Sequence, residues 1–193
     1  MDSATDRFFV ALVLPEPLQD TVNSIKKEFR DRYNSRKAFN SPPHITLIPP
    51  FHWPMADIPH IQESVYEFVV NSFPLPVPIQ LRGFGAFPPK VIFVNVIKTP
   101  ELMALQTALT NHFQDNFPDL PPSKHRSFEP HVTVAFRDLK ATQFKQAWPN
   151  FEHRTFEADF IASYLHLLHH NGQHWNVFSQ TPFNSDLLPD PEI

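Results

Sequence analysis

Short apolar stretches alternate along the chain with longer stretches in which apolar residues recur every three or four positions. The first kind predicts strands and the second predicts amphipathic helices. This pattern places strands at residues 8–14, 43–47, 77–84, 91–97, 130–134, 152–168 and 173–183, and helices at residues 17–33, 57–71, 99–116 and 142–148. Strands and helices therefore mix along the whole chain. The Asn171-Gly172 pair between the last two strands indicates a hairpin turn.

One short pattern occurs twice, as Pro43-His44-Ile45-Thr46-Leu47 and as Pro130-His131-Val132-Thr133-Val134. The two histidines are 87 residues apart, so each copy lies near the middle of one half of the chain. Side chains two positions apart share one face of a strand, so each His and its Thr point to one side while their apolar neighbours face a core. If the two halves face each other, one cleft holds two imidazoles and two hydroxyls.

Two imidazoles and two hydroxyls suit the cleavage of a phosphodiester without a metal. One histidine can act as a base towards the attacking oxygen and the other as an acid towards the leaving oxygen. The threonine hydroxyls can donate hydrogen bonds to the non-bridging phosphate oxygens. A single His-x-Thr would be ordinary sheet composition, but two copies, each after a Pro and one in each half, favour a catalytic role.

The paired motif resembles that of the two-histidine (2H) phosphoesterase superfamily. The closer likeness is to its bacterial and archaeal branch, the RNA 2′,3′-cyclic phosphodiesterases often labelled 2′-5′ RNA ligases. The likeness rests on PPHITLIPPF at residues 42–51 and FEPHVTVAF at residues 128–136, with further support from residues 8–15, 81–96 and 161–183. It spans about residues 6–184, which is nearly the whole chain.

The resemblance implies an α+β, pseudo-two-fold, bilobal (LigT-like) fold, in which two antiparallel sheets form a concave cleft with helices on the outside. The order strand, helix, motif strand occurs in both halves and agrees with such a repeat. Residues 1–184 would then form a single bilobal domain. Residues 185–193 are short, acidic and Pro-containing, and are predicted to be a flexible tail.

The resemblance also implies a function and four catalytic residues. His44 and His131 would be the acid/base pair, and Thr46 and Thr133 would bind the phosphate. The predicted activity is metal-independent hydrolysis of 2′,3′-cyclic phosphate ends of RNA or small nucleotides, with 2′-5′ RNA ligation as a related activity. The family suggests a 2′-phosphate product, with His131 as base and His44 as acid.

Four further residues are candidates for substrate binding. Phe51 lies in a loop predicted after the first motif, where Pro49, Pro50 and Pro54 interrupt pairing, and it could stack on a base or anchor that loop. Phe87 and Tyr164 resemble aromatic residues beside the family's cleft, although the pattern alone would make Phe87 a buried turn residue. Many family members have Arg five residues after the second His, but Phe136 is there and Arg137 follows. Unless the strand bulges or ends, Arg137 points away from the phosphate.

Charge and composition limit the other possibilities. The net charge of −4 argues against a broad non-specific nucleic-acid surface, but an RNA end needs only a local positive site. The basic segments before the two motifs could contact RNA phosphates or could simply be solvated; they are Arg36-Lys37 and Lys124-His125-Arg126. Lys26, Lys27, Arg30 and Arg32 suit the C-terminal end of the first helix better than substrate contact. The absence of Cys, of a signal peptide and of a membrane-length apolar run predicts a cytoplasmic protein with no membrane partner. A monomer is the expected state.

Two other functional classes compete with the phosphodiesterase. A nucleotide- or RNA-end-binding protein could keep the pocket with little turnover. A metallohydrolase could use His166, His169, His170 and His174 around the last hairpin, but no carboxylate or Cys accompanies them at a known spacing, so a polar hairpin tip is preferred. No metal and no cofactor are predicted.

Overall fold

The computed structural model describes residues 5–120 and 127–183. Its strands are β1 (Thr5–Val13), β2 (His44–Pro54), β3 (Val77–Phe87), β4 (Val91–Val96), β5 (His131–Ala135), β6 (Glu157–Ala162), β7 (Tyr164–His170) and β8 (Trp175–Pro182). Its helices are α1 (Glu16–Tyr33), α2 (Ile58–Asn71), α3 (Pro100–Asn116) and α4 (Ala141–Phe151), with 3₁₀ turns at Lys37–Asn40 and Met55–Asp57. The tail predicted at residues 185–193 lies outside the described residues.

The strands of the described residues form two four-stranded antiparallel sheets, with the orders β2-β1-β7-β8 and β5-β4-β3-β6. Each motif strand is at the edge of its sheet. In the first half β1, α1 and the motif strand β2 follow each other, and β1 pairs with β2. In the second half β4, α3 and the motif strand β5 repeat this order, and β4 pairs with β5. The predicted α+β fold with two antiparallel sheets is confirmed.

Both sheets and the helices share one hydrophobic core. The buried face of α1 carries Val22, Ile25 and Phe29, and that of α3 carries leucines at the predicted helical spacing. Helix α1 packs against β5, and α3 packs against β2, so the helix of each half supports the motif strand of the other half. None of the described helices is both long enough and apolar enough to cross a lipid bilayer.

Strand β2 continues beyond the first motif, so the prediction that the prolines end its pairing is wrong. Phe51 pairs with Phe8, and the ladder runs on to Pro54, which pairs with Thr5. The reason is that β2 is an edge strand, and a proline at an edge can lie where no N–H is needed by a neighbour. Phe51 therefore belongs to a strand rather than to a loop.

The single strand predicted over residues 152–168 is in fact two strands in different sheets. Strand β6 pairs with β3 in the second sheet, and β7 pairs with β1 in the first. The chain leaves one sheet for the other at Ser163. The apolar alternation continues across this residue, and alternation does not indicate which sheet a strand joins.

Candidate active site

The two motif strands present their His and Thr side chains in the same way. In β2, His44 and Thr46 are half-buried, while the residues at the second and fourth positions are buried in the core. Strand β5 repeats this arrangement with His131 and Thr133. Strands β2 and β5 also contact each other. The fold therefore brings together the two halves of the motif, although they are 87 residues apart in the sequence.

Each motif strand has a bulge one residue after its threonine. In the first sheet Leu47 is the extra residue opposite β1, and in the second sheet Val134 is the extra residue opposite β4. A bulge increases the local twist and bends the strand. Strict alternation of side chains between the two faces therefore stops after the threonine in both halves. The side chains that follow change face at the same position in each motif strand.

Hydrogen bonds to the backbone set the tautomer of both histidines. The Nδ1 atom of His44 lies 2.7 Å from the carbonyl oxygen of Pro42, and that of His131 lies 2.7 Å from the carbonyl oxygen of Glu129. A carbonyl only accepts, so each Nδ1 carries the hydrogen. In the neutral imidazole the lone pair is then on Nε2, which is the nitrogen left for a substrate.

A phenylalanine ring supports each imidazole. The rings of Phe9 and His44 are 4.8 Å apart between centroids, and those of Phe93 and His131 are 4.9 Å apart. Gly85 makes room for the second pair, because a Cβ at this position would overlap the Phe93 ring at 2.5 Å. The second half thus depends on a glycine in the neighbouring strand β3.

The pKa of both histidines is lowered, but for partly different reasons. Burial lowers the pKa of His44 to about 4 despite the opposing hydrogen bond to the Pro42 carbonyl, and the charges of Lys26 and His131 lower it further. Burial also lowers the pKa of His131, while the hydrogen bond to the Glu129 carbonyl and the Glu129 carboxylate act in the opposite direction. Both imidazoles are therefore neutral near pH 7 in the unliganded protein, and His44 is the harder of the two to protonate.

Lys26 is a member of the site environment that sequence reasoning missed. The pattern assigned it only to the C-terminal end of α1, but its side chain is 1 % exposed and burial lowers its pKa to about 7. Its amine donates a hydrogen bond of 3.0 Å to the carbonyl oxygen of Ser41, three residues before His44. The spacing of Lys26 from Val22 and Phe29, on the buried face of α1, was the available signal.

The cleft contains a pocket of about 200 Å³ between the two motif strands. The described residues that line it are Arg7, Phe9, Lys37, Ala38, Asn40, Ser41, His44, Thr46, Pro50, Thr133, Phe136, Arg137, His170 and Trp175. His131 is two residues from Thr133 on the same face of β5, beside this lining. Three of the lining side chains are cations, and no Asp or Glu is found among the described residues of the lining. The pocket therefore suits an anion.

Arg137 lines the pocket because β5 ends before it. The strand stops at Ala135, and Arg137 adopts a φ of 57°, in the left-handed region. The N–H of Asp138 reaches the carbonyl oxygen of Phe136 over 2.6 Å, which closes a tight turn around Arg137. The strand thus ends before Arg137, which is the condition under which this side chain could turn towards the motif face. Both Phe136 and Arg137 border the pocket.

Asp138 ties the turn at Arg137 to the loop before the first motif. Its carboxylate accepts hydrogen bonds from the Ser35 hydroxyl at 2.9 Å and from the backbone N–H groups of Arg36 and Lys37 at 2.7 and 3.0 Å. These bonds join residues about 100 positions apart in the sequence. They fix the relative position of two pocket cations, Lys37 and Arg137.

The three aromatic candidates differ in their positions. Phe51 is only 4 % exposed and packs in the core, so it does not reach the pocket. Phe87 is 41 % exposed, and its ring meets His131 edge-on at 5.3 Å, so the prediction from pattern alone of a buried residue is wrong. Tyr164 is 36 % exposed and lies next to His166, 6.2 Å between ring centroids, without lining the pocket.

The basic segments before the motifs and the hairpin histidines separate into different roles. Lys37 lines the pocket, whereas Lys124, His125 and Arg126 lie outside the described residues. Within residues 5–120 and 127–183, no three His, Asp or Glu side chains converge as a metal would require. Of the hairpin histidines, His170 borders the pocket and His169 instead contacts Asp6.

Sequence reasoning also missed Arg7 and Trp175. Both line the pocket, and the Arg7 guanidinium lies over the indole ring at 5.1 Å from its centroid. Arg7 shares a face of β1 with Phe9, which contacts both His44 and Trp175. The two-residue spacing of Arg7 and Phe9 could have indicated that they share a face of β1. The position of Trp175 depends on the place of β8 in the sheet, which the sequence does not indicate.

A family model, a related protein sequence and solved structures are all similar to this chain over most of its length. The model of the 2′-5′ RNA ligase superfamily matches residues 14–174. A Bacillus pumilus protein named "Putative phosphoesterase" is 28% identical over 176 residues, which are 89% of this chain and 94% of that protein. The crystal structure of TT0787 of Thermus thermophilus has a TM-score of 0.67 at 20% identity, and covers 92% of this chain and 97% of its own. E. coli LigT complexed with 3′-AMP has a TM-score of 0.64 at 13% identity, and covers 93% and 98%.

Proposed function

The chain belongs to the 2′-5′ RNA ligase superfamily of 2H phosphoesterases, and we propose that it hydrolyses 2′,3′-cyclic phosphate ends of RNA or nucleotides without a metal. One observation carries this proposal: two imidazoles with the same tautomer stand on facing strands beside one cationic pocket. A phosphodiester needs a base, an acid and hydrogen-bond donors, and His44, His131, Thr46 and Thr133 would supply them.

In the proposed reaction, the Nε2 atom of His131 removes a proton from water, and the oxygen attacks phosphorus. The bond from phosphorus to the 3′ oxygen of the ribose breaks, and protonated His44 gives its proton to that oxygen. The product is a 2′-phosphate. The two threonine hydroxyls donate to the non-bridging oxygens, where negative charge is concentrated during the reaction.

The charges around the imidazoles favour this order of roles. Both imidazoles donate to a backbone carbonyl, but only His131 has a carboxylate, that of Glu129, which opposes the effect of burial on its pKa and makes this imidazole the stronger base. His44 has its pKa lowered to about 4, so once protonated it is the stronger acid. The negative charge of the bound phosphodiester would supply the stabilisation that protonation of His44 needs.

A nucleotide ligand is consistent with the comparison, since E. coli LigT was crystallised with 3′-AMP. The pocket of about 200 Å³ would hold the phosphate of such a ligand among its cationic side chains. A ribose hydroxyl in place of water would make the same chemistry a ligation. A 5′-hydroxyl RNA added to the hydrolysis assay would therefore reveal any 2′-5′ ligase activity.

The decisive experiment is hydrolysis of 2′,3′-cyclic AMP and of a short RNA with a cyclic phosphate end, both in EDTA. We expect wild-type turnover, and a loss of about 10²–10⁴-fold in His44→Ala and in His131→Ala, because each loses one acid/base group. His153→Ala is the matched control, since its side chain is 89% exposed and lies outside the pocket lining.

Three outcomes would contradict parts of this proposal. Equal turnover in all variants would exclude the histidine pair. Activity abolished by EDTA and restored by a metal would favour a metallohydrolase. Tight binding of a nucleotide without product in the wild type would leave a nucleotide- or RNA-end-binding protein.

A further inference from the structure

Three cations, Arg7, Lys37 and Arg137, line the same pocket as His44. The ion pairs found within the described ranges involve other arginines and lysines, so these three have no carboxylate partner there. The chain as a whole has a net charge of −4, which makes the positive pocket a local feature. A single phosphodiester carries one negative charge, which is fewer than the pocket's three positive charges.

Arg7 enters the pocket from a position well along β1 from the motif threonine Thr46. Ala11 pairs with Thr46, and Arg7 is four residues away on the same face, which is about 13 Å of strand. The Phe9 ring lies between them, 4.8 Å from His44 and 4.6 Å from Trp175. The Arg7 guanidinium lies beside Trp175, so it lines the pocket at a different level from the motif residues on β2.

Contacts within the pocket lining orient Arg7. Its guanidinium lies over Trp175, 5.1 Å from the ring centroid, and the Trp175 ring meets His170 at 4.8 Å. Burial, and then the positive charges of Arg7 and Arg137 among others, lower the pKa of His170. Arg7 and Arg137 are thus both close to one ring and form one positive region.

From this geometry we propose that the pocket binds a second phosphate, on the 5′ side of the terminal nucleoside, through Arg7 with Lys37 and Arg137 beside it. The substrate is then an RNA end or a 5′-phosphorylated nucleotide rather than a simple cyclic mononucleotide. The inference rests on the proposed function for the identity of the first phosphate. Its chemistry is phosphate recognition by a preorganised guanidinium.

Binding of product-like ligands tests this independently of turnover. Isothermal titration calorimetry would compare adenosine 2′-phosphate with adenosine 2′,5′-bisphosphate. We expect the bisphosphate to bind about tenfold or more tightly, since a charge-assisted hydrogen bond contributes about that factor. Arg7→Gln should remove most of this ratio. Arg36→Gln, a neighbouring arginine that does not line the pocket, should keep it.

Turnover then separates the two sources of the second phosphate. The substrates are 2′,3′-cyclic AMP, the same compound with a 5′-phosphate, and a dinucleotide with a cyclic phosphate end. A gain in kcat/KM for both larger substrates indicates recognition of the phosphate itself, and a gain only for the dinucleotide indicates an internucleotide linkage. In Arg7→Gln the ratio of larger to smaller substrate should fall towards one.

Failure of this inference differs from failure of the proposed function. Equal affinity for the two adenosine phosphates, or equal kcat/KM for all substrates, would overturn the second phosphate site while leaving the phosphodiesterase intact. Preference for the bisphosphate without turnover would overturn the proposed reaction and support the site. If Arg7→Gln does not fold, Lys37→Gln, in an exposed turn, gives the same comparison of ratios.

Discussion

The two motif halves have the same backbone arrangement and different surroundings. Each imidazole donates from Nδ1 over 2.7 Å to the carbonyl two residues before it, and each strand has a bulge after its threonine. Behind His44, however, the buried amine of Lys26 holds the preceding loop. His131 instead packs against the rings of Phe87 and Phe93, which also contact each other, near the carboxylate of Glu129.

This difference shows that the repeated motif determines the orientation and tautomer of each histidine, while the residues around it determine its pKa. Identical hydrogen bonds give both histidines one tautomer, which by itself would make them interchangeable. The cation beside His44 and the carboxylate beside His131 change the pKa values by different amounts. A pseudo-symmetric pair can in this way have unequal acid and base roles.

The largest expected effect is on the kcat of variants that lack one imidazole. It is measured with a substrate whose leaving group needs no general acid. In a nucleoside p-nitrophenyl phosphodiester the p-nitrophenolate leaves without a proton. His44→Ala should therefore regain activity to within about tenfold of wild type on this ester, while staying about 10²–10⁴-fold down on the cyclic substrate. His131→Ala should remain low on both, as measured by kcat. The opposite pattern would exchange the two roles.

A smaller effect is expected from Gly85→Ala, which disturbs only the second half. The added Cβ would overlap the Asn95 side chain and the Phe93 ring, the latter at 2.5 Å, and Phe93 supports His131. We expect a loss of about 1–3 kcal/mol in the free energy of unfolding, measured with urea, because the ring must move. The double variant Gly85→Ala/Phe93→Leu relieves the overlap with the ring but not that with the Asn95 side chain, so it should regain only part of the lost stability. Unchanged stability in the single variant would show that Phe93 moves freely.

The smallest effect concerns Lys26, whose pKa is lowered to about 7 from an ordinary value of 10.5. Between these pH values the unfolded chain binds a proton that the folded chain does not, so stability should rise with pH across this range. Lys26→Met should remove that rise and move the pKa of His44 upwards, as measured by urea unfolding and by NMR titration. The exposed neighbour gives the control, Lys27→Met, which should behave as wild type. An unchanged pH dependence in Lys26→Met would exclude a buried amine.

The local pattern predicted the elements well where packing follows amphipathicity. The faces of α1 and α3 and the alternation of both motif strands agree with the apolar spacing. Prediction was wrong for Phe51 because a proline-containing strand is tolerated at a sheet edge, and edge position is a property of the whole sheet. It was also wrong across Ser163, where one apolar pattern passes from one sheet to the other.

The sequence by itself determined that two His-x-Thr pairs lie on apolar-backed strands, since alternation is a local property of the backbone. The tertiary structure alone decided what those strands face. It brought β2 and β5 together, turned Arg137 into the pocket after β5 ended, and placed Arg7 over Trp175. These contacts join residues far apart in the chain, and the order of strands in the two sheets, which no local pattern encodes, determines them.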